Sequence, residues 1–366
     1  AWGLNRFDGY SIQTFFPKND SLPTNYVDWI RELDDDIMLL KSSSEIAFFD
    51  KKTGTFSNAK EFFASKGVDG TISQAFVDSS DNIWIACGGV CYVYSQREQK
   101  LVCSDNGMKA YDKSRIVSFA ESYGQVVLLY DDGTMLFYAM KNGVQQRTPR
   151  IVHTPMGSGS HSLFIDSDSD YWVIADGGRG LWFYEQSTDK WYLCTSDRDS
   201  YYLMPSFVVN GVAQDRSGKM WIVSDHGGIN IIDKRTHAVT RLKSRQNDDR
   251  CIPSNSVSCI YCDGSDNVWI GDVKCGISLY NEAIFKFDLE RFDDYNLDPD
   301  FLAHINSIDE DRKGNMWYGT NGFGLLSVKK SGEKIIYRHS DSDKNTISGN
   351  IVVEVYADHS DNIWIG

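Results

Sequence analysis

A seven-residue phrase recurs along this chain and constrains its fold more than any other feature. With the tryptophan as a marker, complete copies lie at positions 84, 172, 221, 269, 317 and 364. Weakened copies place Met38 and Leu128 in the same slot, which gives eight slots at intervals of about 44–49 residues. Recurrence at a nearly fixed period predicts a repeat architecture, in which each unit buries its apolar face against its neighbours.

Each repeat unit contains several short segments in which apolar and polar residues alternate. In the unit around Trp269 these segments read SVSCIYCD, NVWIG, GISLYN and IFKFDL. Alternation with period two, bounded by Asp, Gly, Ser and Asn, is typical of short β-strands. Four strands in a unit of this length predict an all-β fold, a β-propeller of four-stranded antiparallel blades. The same alternation excludes a solenoid of helix pairs.

An aspartate stands six residues before each complete tryptophan, at positions 78, 166, 215, 263, 311 and 358. The residues between them form a polar turn, in which the carboxylate is expected to accept hydrogen bonds from backbone amides two or three residues later. Gly, Asn or Asp later in the turn tolerates positive φ. We expect the tryptophan to start the second strand and to fill the wedge between neighbouring blades. These residues are therefore interpreted as scaffold.

Two segments resemble metal sites only superficially. The run DSDSD at Asp166 begins like a calcium loop, but Tyr171 and Gly177 replace the glycine and the bidentate glutamate that such a loop needs at its sixth and twelfth positions. Cys259 and Cys262 lie three apart on a predicted strand and so face opposite sides. The eight cysteines show no regular framework; Cys87 and Cys91 are interpreted as buried thiols, with a hairpin disulfide as the alternative. We expect no metal and no cofactor.

The charge of the chain excludes several classes of partner. Its formal net charge is −14 and its pI is near 4.9. This balance argues against nucleic acid and against anionic lipid, because phosphate contacts need basic stripes. The sequence contains no apolar run of 18 residues, so any attachment to a membrane is expected through segments other than these.

The blade phrase, the element GLNRFDGY at Gly3–Tyr10 and the turns SLPTNYV, CIPSNSV and TISGNIV resemble the periplasmic sensor region of hybrid two component systems from Bacteroidetes. The resemblance implies a non-catalytic periplasmic segment of an inner-membrane receptor whose other parts include a histidine kinase. It also implies an oligosaccharide ligand, a neighbouring propeller and a β-sandwich domain as partners, and a homodimer in the intact receptor.

The repeats divide the chain into three parts. Residues 1–26 are interpreted as the outer strands of one blade, residues 27–350 as seven full repeats, and residues 351–366 as the inner strands of a further blade. Two arrangements fit this division. Either the two terminal parts join as a split eighth blade, or the chain contains one seven-bladed ring and the start of a second. Seven blades in a ring are favoured by the resemblance.

Ligand contacts are expected in loops on one face, where the second strand meets the third and the fourth meets the next blade. Loops that depart from the repeat are the best candidates for function. Tyr201 and Tyr202 are expected to stack on sugar rings, and the other candidates are expected to form hydrogen bonds or contacts with the ligand. The full set of candidate residues is Asp176, Arg179, Arg198, Tyr201, Tyr202, Asp225, His226, Asp272, Lys274, Asn321 and Phe323.

Two other functions stay open at this point. A lyase-type propeller enzyme would need an acid and a base, and Asp225 with His226 is the only obvious pair in the sequence. No catalytic triad motif, His-Glu-x-x-His motif or phosphate-binding glycine loop occurs. The remaining alternative is a platform for protein interactions without a small ligand.

Overall fold

The computed structural model describes residues 3–15, 26–42, 45–104, 114–141, 144–145, 150–196, 200–204, 206–245, 251–281 and 304–366. The chain divides into two compact units, unit 1 (Ala1–Glu282) and unit 2 (Ala283–Gly366). Within the described ranges, regular structure is almost entirely β-strand, and the single helix is α1 (Ala59–Ser65). The predicted all-β class is therefore confirmed. None of the described helical structure has the length and apolarity to cross a membrane.

Unit 1 contains an N-terminal hairpin followed by six antiparallel sheets. The hairpin consists of β1 (Leu4–Phe7) and β2 (Ile12–Phe15). Sheet 1 comprises β3 (Trp29–Glu32), β4 (Ile37–Ser42), β5 (Glu45–Asp50) and β6 (Thr55–Asn58). Sheet 2 comprises β7 (Ile72–Val77), β8 (Asn82–Cys87), β9 (Val90–Ser95) and β10 (Lys100–Ser104). Sheet 3 comprises β11 (Ile116–Ser122), β12 (Gln125–Tyr130), β13 (Thr134–Lys141), β14 (Val144–Gln145) and β15 (Arg150–His153). Sheet 4 comprises β16 (His161–Ile165), β17 (Tyr171–Ala175), β18 (Leu181–Glu185) and β19 (Lys190–Cys194). Sheet 5 comprises β20 (Val209–Gln214), β21 (Met220–Ser224), β22 (Gly228–Asp233) and β23 (Ala238–Leu242). Sheet 6 comprises β24 (Val257–Cys262), β25 (Val268–Asp272) and β26 (Ile277–Tyr280).

Unit 2 repeats the same plan in its described part, residues 304–366. One four-stranded sheet is followed by a two-stranded hairpin. The strands are β27 (Ile305–Glu310), β28 (Met316–Thr320), β29 (Leu325–Val328) and β30 (Lys334–Tyr337), then β31 (Val355–Ala357) and β32 (Ile363–Ile365).

Strand register shows that the tryptophan slots are structurally equivalent. Trp84 on the second strand of sheet 2 pairs with Phe76 on the first strand and Val93 on the third. Leu128 pairs with Phe119 and Leu136 in the same way on sheet 3. The predicted degenerate copy at position 128 is thus confirmed.

The apolar core of unit 1 lies between successive sheets. Trp84 is fully buried against Ile116 and Leu128 of the next sheet, and Trp172 packs likewise on Val209 and Met220. The predicted role of the tryptophan as the filler between sheets is confirmed for these copies. Trp269 is only half-buried, so burial is not uniform along the repeat.

Helix α1 supplies apolar residues between sheets 1 and 2. The side chain of Asn58 accepts a hydrogen bond from the amide of Glu61 and so caps the first turn. Phe63 is fully buried and its ring contacts Phe48 and Tyr94. This short helix replaces a loop and closes the core at the edge of the sheets.

The aspartate before each tryptophan holds the turn and the indole together. Asp78 Oδ1 accepts from the amides of Ser80 and Asn82, at 2.9 and 2.8 Å, and Asp78 Oδ2 accepts from Trp84 Nε1 at 2.8 Å. The predicted turn is therefore confirmed, with amides two and four residues later as the donors. The hydrogen bond to the indole was not predicted, although the fixed spacing of six residues indicates it. We call this arrangement the Asp–Trp clamp; its six copies pair residues 78 and 84, 166 and 172, 215 and 221, 263 and 269, 311 and 317, and 358 and 364.

The clamp turns contain the backbone strain that the sequence predicts. Asp81, Asp266 and Asp361 adopt positive φ, at 59°, 64° and 62°. Ser169 does the same at 65°, and Gly218 and Gly314 occupy the equivalent position without strain. A short polar side chain or a glycine at this one position is what the turn requires.

The N-terminal hairpin contacts the first and the sixth sheet of unit 1. The ring centroid of Phe15 lies 4.9 Å from that of Phe49 on sheet 1. Phe7 lies edge-on to Trp269 on sheet 6, with centroids 6.2 Å apart. The number of blades in a closed ring stays a prediction.

The described cysteines are free thiols. Cys87 and Cys91 are fully buried, yet they pack into different core clusters, because the hairpin register places Ala86, not Cys87, opposite Cys91. The interpretation as buried thiols is favoured over the hairpin disulfide. Cys259 is exposed, whereas Cys262 packs against the core, so these two thiols diverge as predicted.

Candidate ligand site

The loops between the second and third strands meet the loops that precede the first strands, as the sequence predicts. The amide of Asp176 donates to Ser160 O at 3.1 Å, and the amide of Asp225 donates to Val208 O at 2.9 Å. On the other side, the amide of Gly180 donates to Phe207 O at 3.2 Å, which links sheet 4 to the loop that leads into sheet 5. These backbone bonds fix the rim of unit 1 at this end of the strands.

A cavity of about 710 Å³ opens at this rim, and we call it the inner-strand cavity. It is bordered by the starts of the innermost strands β7, β11, β16 and β20 and by the end of β17. Its walls are mixed: aliphatic side chains such as Ile116 and Val209 alternate with hydroxyl, amide and charged groups. The polar lining residues are Ser73, Gln74, Arg115, Ser160, His161, Ser162, Asp176 and Asn210.

His161 is the most deeply placed polar residue of this lining. It is 3% exposed, and its Nε2 lies 2.9 Å from Gly157 O. Because a carbonyl can only accept, Nε2 is the donor of this bond, and in the tautomer that carries its proton on Nε2 the other nitrogen, Nδ1, is an acceptor. Within the described residues, Nδ1 has no hydrogen-bond partner. Such a buried, unsatisfied acceptor is a feature that a structure normally explains by a ligand or an ordered water.

Of the predicted candidates, Asp176 lines the cavity and Arg179 stabilises its rim. One carboxylate oxygen of Asp176 accepts from the amide of Gly177 at 2.7 Å. Arg179 donates from Nε to the carbonyl of Asp176 at 2.9 Å and from Nη1 to the carbonyl of Ser158 at 2.8 Å. The Arg179 guanidinium thus ties two loops together.

The next two hairpins place their candidate residues outside the lining of the cavity. His226 Nδ1 lies 3.0 Å from Asp225 Oδ1, but 85% of the histidine side chain is exposed. Asp272 accepts from the amides of Lys274 and Cys275 and from the hydroxyl of Ser254, and these bonds lower the pKa of its carboxyl against the opposing effect of burial. Asp272 therefore closes its own turn, and Lys274 is exposed beside it.

The two tyrosines lie away from the cavity because their loop folds back along the outer strand. Tyr201 donates its hydroxyl to Glu185, at the far end of β18, at 2.9 Å. Burial and this bond raise the pKa of Tyr201 to about 12. Tyr202 is 1% exposed and stacks on Trp172 at 5.7 Å between centroids. Its ring is covered by the core and offers no free face for a sugar.

The remaining candidates fall in other places. Asn321 and Phe323 belong to unit 2, where Asn321 is exposed and Phe323 is partly buried in a small cluster. Arg198 lies outside the described residues.

A second polar cluster lies at the opposite end of sheet 4, in the turn whose sequence begins like a calcium loop. Asp166, Asp168 and Asp170 bring their carboxylates together, and Lys234 Nζ lies 2.6–2.7 Å from all three. Burial disfavours the charge on Lys234, but the three carboxylates outweigh it and raise the pKa of its ammonium. The lysine therefore occupies the position that a bound cation would take and joins sheet 5 to sheet 4.

Sequence reasoning missed Phe207, His161 and Asn210. Phe207 is 43% exposed and immediately precedes Val208, which lines the cavity. Asn210 donates from Nδ2 to Val257 O at 2.7 Å across two innermost strands. The sequence signal was available for Phe207, an aromatic residue in a long loop that departs from the repeat. No sequence pattern distinguishes His161 or Asn210 from other strand residues.

Comparison with known families agrees with the repeat. Residues 251–274 match the family model described as two component regulator propeller. This stretch includes Asp263 and Trp269, which form one of the clamps. It is similar to a two component regulator propeller repeat. The resemblance inferred from the blade phrase is thus confirmed. The comparison with curated proteins finds no match.

Solved structures extend the likeness to the whole fold. The extracellular domain of a putative hybrid two component system from Bacteroides thetaiotaomicron is 16% identical, with a TM-score of 0.63, over 100% of this chain and 47% of that one. The extracellular domain of a putative one component system from the same organism is 20% identical, with a TM-score of 0.55, over 99% and 47%. This chain spans about half the length of both. The repeats of this chain thus form a β-propeller of four-stranded antiparallel blades, as predicted.

A streptogramin B lyase structure also matches, at 13% identity and a TM-score of 0.47 over 80% of this chain and 89% of that one. A likeness of this size carries no argument about activity.

Proposed function

We propose that this chain belongs to the extracytoplasmic sensing region of a membrane-bound two component receptor and binds an oligosaccharide in the inner-strand cavity without catalysing a reaction. The observation that carries the proposal is the cavity itself. Its volume of about 710 Å³ lies within the range of small-molecule sites. Its lining combines aliphatic walls with several hydroxyl and amide groups, as a sugar-binding site requires.

An exposed aromatic residue next to the cavity lining in the chain adds to this support. Sugar rings present apolar faces that pack on aromatic side chains, while their hydroxyls form hydrogen bonds. Phe207 is exposed, immediately precedes the lining residue Val208, and is positioned by the backbone bond between Gly180 and its own carbonyl. It takes the stacking role that the sequence assigned to Tyr201 and Tyr202.

The geometry of the predicted acid–base pair favours binding over catalysis. Asp225 and His226 form a close pair, yet the histidine is exposed on a hairpin and the pair is absent from the lining of the cavity. General acid–base groups act on a substrate held within hydrogen-bond reach and sheltered from water. We therefore assign no catalytic residue, and we place the chain in the periplasm, with a neighbouring propeller, a β-sandwich domain and a second copy of the receptor as partners.

The test is calorimetric titration of the chain against a panel of oligosaccharides, with matched aromatic variants. Phe207→Ala is expected to weaken binding at least about tenfold, because stacking is lost. Tyr123→Ala is the control, since Tyr123 is 83% exposed in the turn between β11 and β12, at the other end of the sheet. Equal affinity of both variants for the oligosaccharide would contradict the assignment of the binding site to the inner-strand cavity. A panel without any binding would favour a platform for protein interactions.

A further inference from the structure

Several strong donors of the inner-strand cavity are already bound to the protein itself. Arg115, the cation of the lining, pairs through Nε with Asp131 Oδ2 at 3.3 Å. Asn210 Nδ2 is bound to Val257 O, and His161 Nε2 is bound to Gly157 O.

The same holds for the groups at the rim that a negatively charged ligand would seek. The guanidinium of Arg179 is bound to two backbone carbonyls. The amide of Gly177 would otherwise suit an anion, but it donates to Asp176 Oδ1. The protein thus supplies its own carboxylate at the position where an anionic ligand would bind.

The acceptors of the cavity are open by contrast. Within the part of the chain that the structure describes, His161 Nδ1 has no partner. Among the same described residues, the Asp176 carboxylate accepts one hydrogen bond, from Gly177, and the Asn210 side chain forms one, through its Nδ2. The lining therefore offers a carboxylate oxygen and an amide oxygen to a ligand, and it contains a buried imidazole nitrogen without a partner among the described residues.

We infer that the cavity selects a neutral glycan, rich in hydroxyl groups, and rejects glycans that carry uronate or sulfate groups. A hydroxyl donates to open acceptors, whereas a carboxylate or sulfate brings only further acceptors and a like charge close to Asp176. Arg115 is already ion-paired with Asp131 through Nε. This inference rests on the proposed function and names its class of ligand.

The first experiment is a glycan array that presents neutral glycans beside their uronate and sulfated counterparts. We expect the bound glycans to be neutral, and we expect each acidic counterpart to bind with an affinity at least about tenfold lower. Preferential binding of acidic glycans would overturn the inference and leave the proposed sensing function intact. An array without binding would overturn the proposed function, and the inference with it.

The second experiment assigns the selectivity to the named acceptors, using a neutral glycan that binds in the array. Asp176→Asn removes the charge from an exposed side chain. It is expected to weaken binding of the neutral glycan and to reduce the ratio between its affinity and that of the acidic counterpart. Asp225→Asn, the equivalent change on the next sheet, lies outside the lining and is expected to leave both affinities unchanged.

His161→Gln tests the buried acceptor. Glutamine can keep a donor near the position of Nε2, toward Gly157 O, but has no acceptor at the position of Nδ1. We expect weaker binding of the neutral glycan at an unchanged melting temperature. Unchanged affinity and selectivity in both Asp176→Asn and His161→Gln would place the selectivity elsewhere and overturn the inference.

Discussion

Residues 80–86 and 360–366 have nearly the same sequence, SDNIWIA and SDNIWIG, but different surroundings. Their clamps are alike: the indole of Trp84 donates to Asp78 and that of Trp364 donates to Asp358, each at 2.8 Å. Their burial is opposite, because Trp84 is fully buried and Trp364 is 63% exposed. The local turn is therefore a property of the phrase, whereas the stabilisation obtained from its large ring depends on what packs against it.

The strongest test of this difference is to truncate both rings. Trp84→Ala is expected to lower the free energy of unfolding by about 3–5 kcal/mol, as for other buried aromatic residues. Trp364→Ala is expected to cost less than about 1 kcal/mol, since its ring is mostly in water. Urea denaturation followed by circular dichroism measures both, and equal losses would contradict the distinction.

Replacing the aspartate measures the contribution of the clamp hydrogen bonds to stability separately from that of the tryptophan ring. Asp78→Ala leaves the Trp84 indole and two turn amides without their acceptor in a buried place, at a cost of about 3 kcal/mol. In Asp358→Ala, water can reach the same donors, so the loss is expected to be clearly smaller. A similar midpoint shift for the two variants in the same denaturation experiment would show that burial does not decide the worth of the clamp.

Trp269 provides an intermediate case. It is half-buried, and its ring meets Phe7 of the N-terminal hairpin edge-on. We expect Trp269→Ala to cost about 2 kcal/mol, between the two extremes. Phe7→Ala in the same background should then add little, because the partner ring is already gone. Additive losses in this double-mutant cycle would show that the two rings do not interact.

Acid titration isolates the smallest contribution, the electrostatic part of the clamp. Burial disfavours the charge on Asp311, but hydrogen bonds from Asn315 and the Trp317 indole outweigh it and lower its pKa to about 2. Because this folded-state pKa lies below the ordinary value of 3.8, ionised Asp311 adds stability above about pH 4 and loses it as the pH falls toward 2.

The readout is the difference in unfolding free energy between the unmodified chain and Asp311→Asn. It should be constant above about pH 4 and shrink as the pH falls. At Asp358, hydrogen bonds from Trp364 and Asn362 also lower the pKa of the carboxyl. The clamp of Asp358 and Trp364 should therefore retain the electrostatic contribution of its carboxylate to stability, although Trp364 is exposed. A difference that grows on acidification would have the wrong sign for this explanation.

The sequence predicted the scaffold well, but it did not predict where every candidate loop residue lies in the fold. The prediction that Leu128 occupies the tryptophan slot was correct, because strand register depends on a periodic pattern that survives the loss of one tryptophan. Tyr201 and Tyr202 were assigned to the ligand face by their position in the chain. Their loop instead folds back, and its aromatic rings join the core around Trp172 and Phe183. Chain order gives the end of the strand from which a loop departs, but not the direction in which it then runs.

The sequence by itself determined the repeat, the four-stranded antiparallel sheets and the Asp turn before each tryptophan, because these depend on residues close together in the chain. Only the tertiary structure decided which copies are buried, since burial requires the next sheet. It also brought Gln74, Arg115, His161 and Asn210 to one cavity from four different sheets. Whether the groups around that cavity are open or already bonded depends on neighbours such as Gly157, Asp131 and Val257. No local pattern records those contacts, because the sheets bring together residues that lie far apart in the chain.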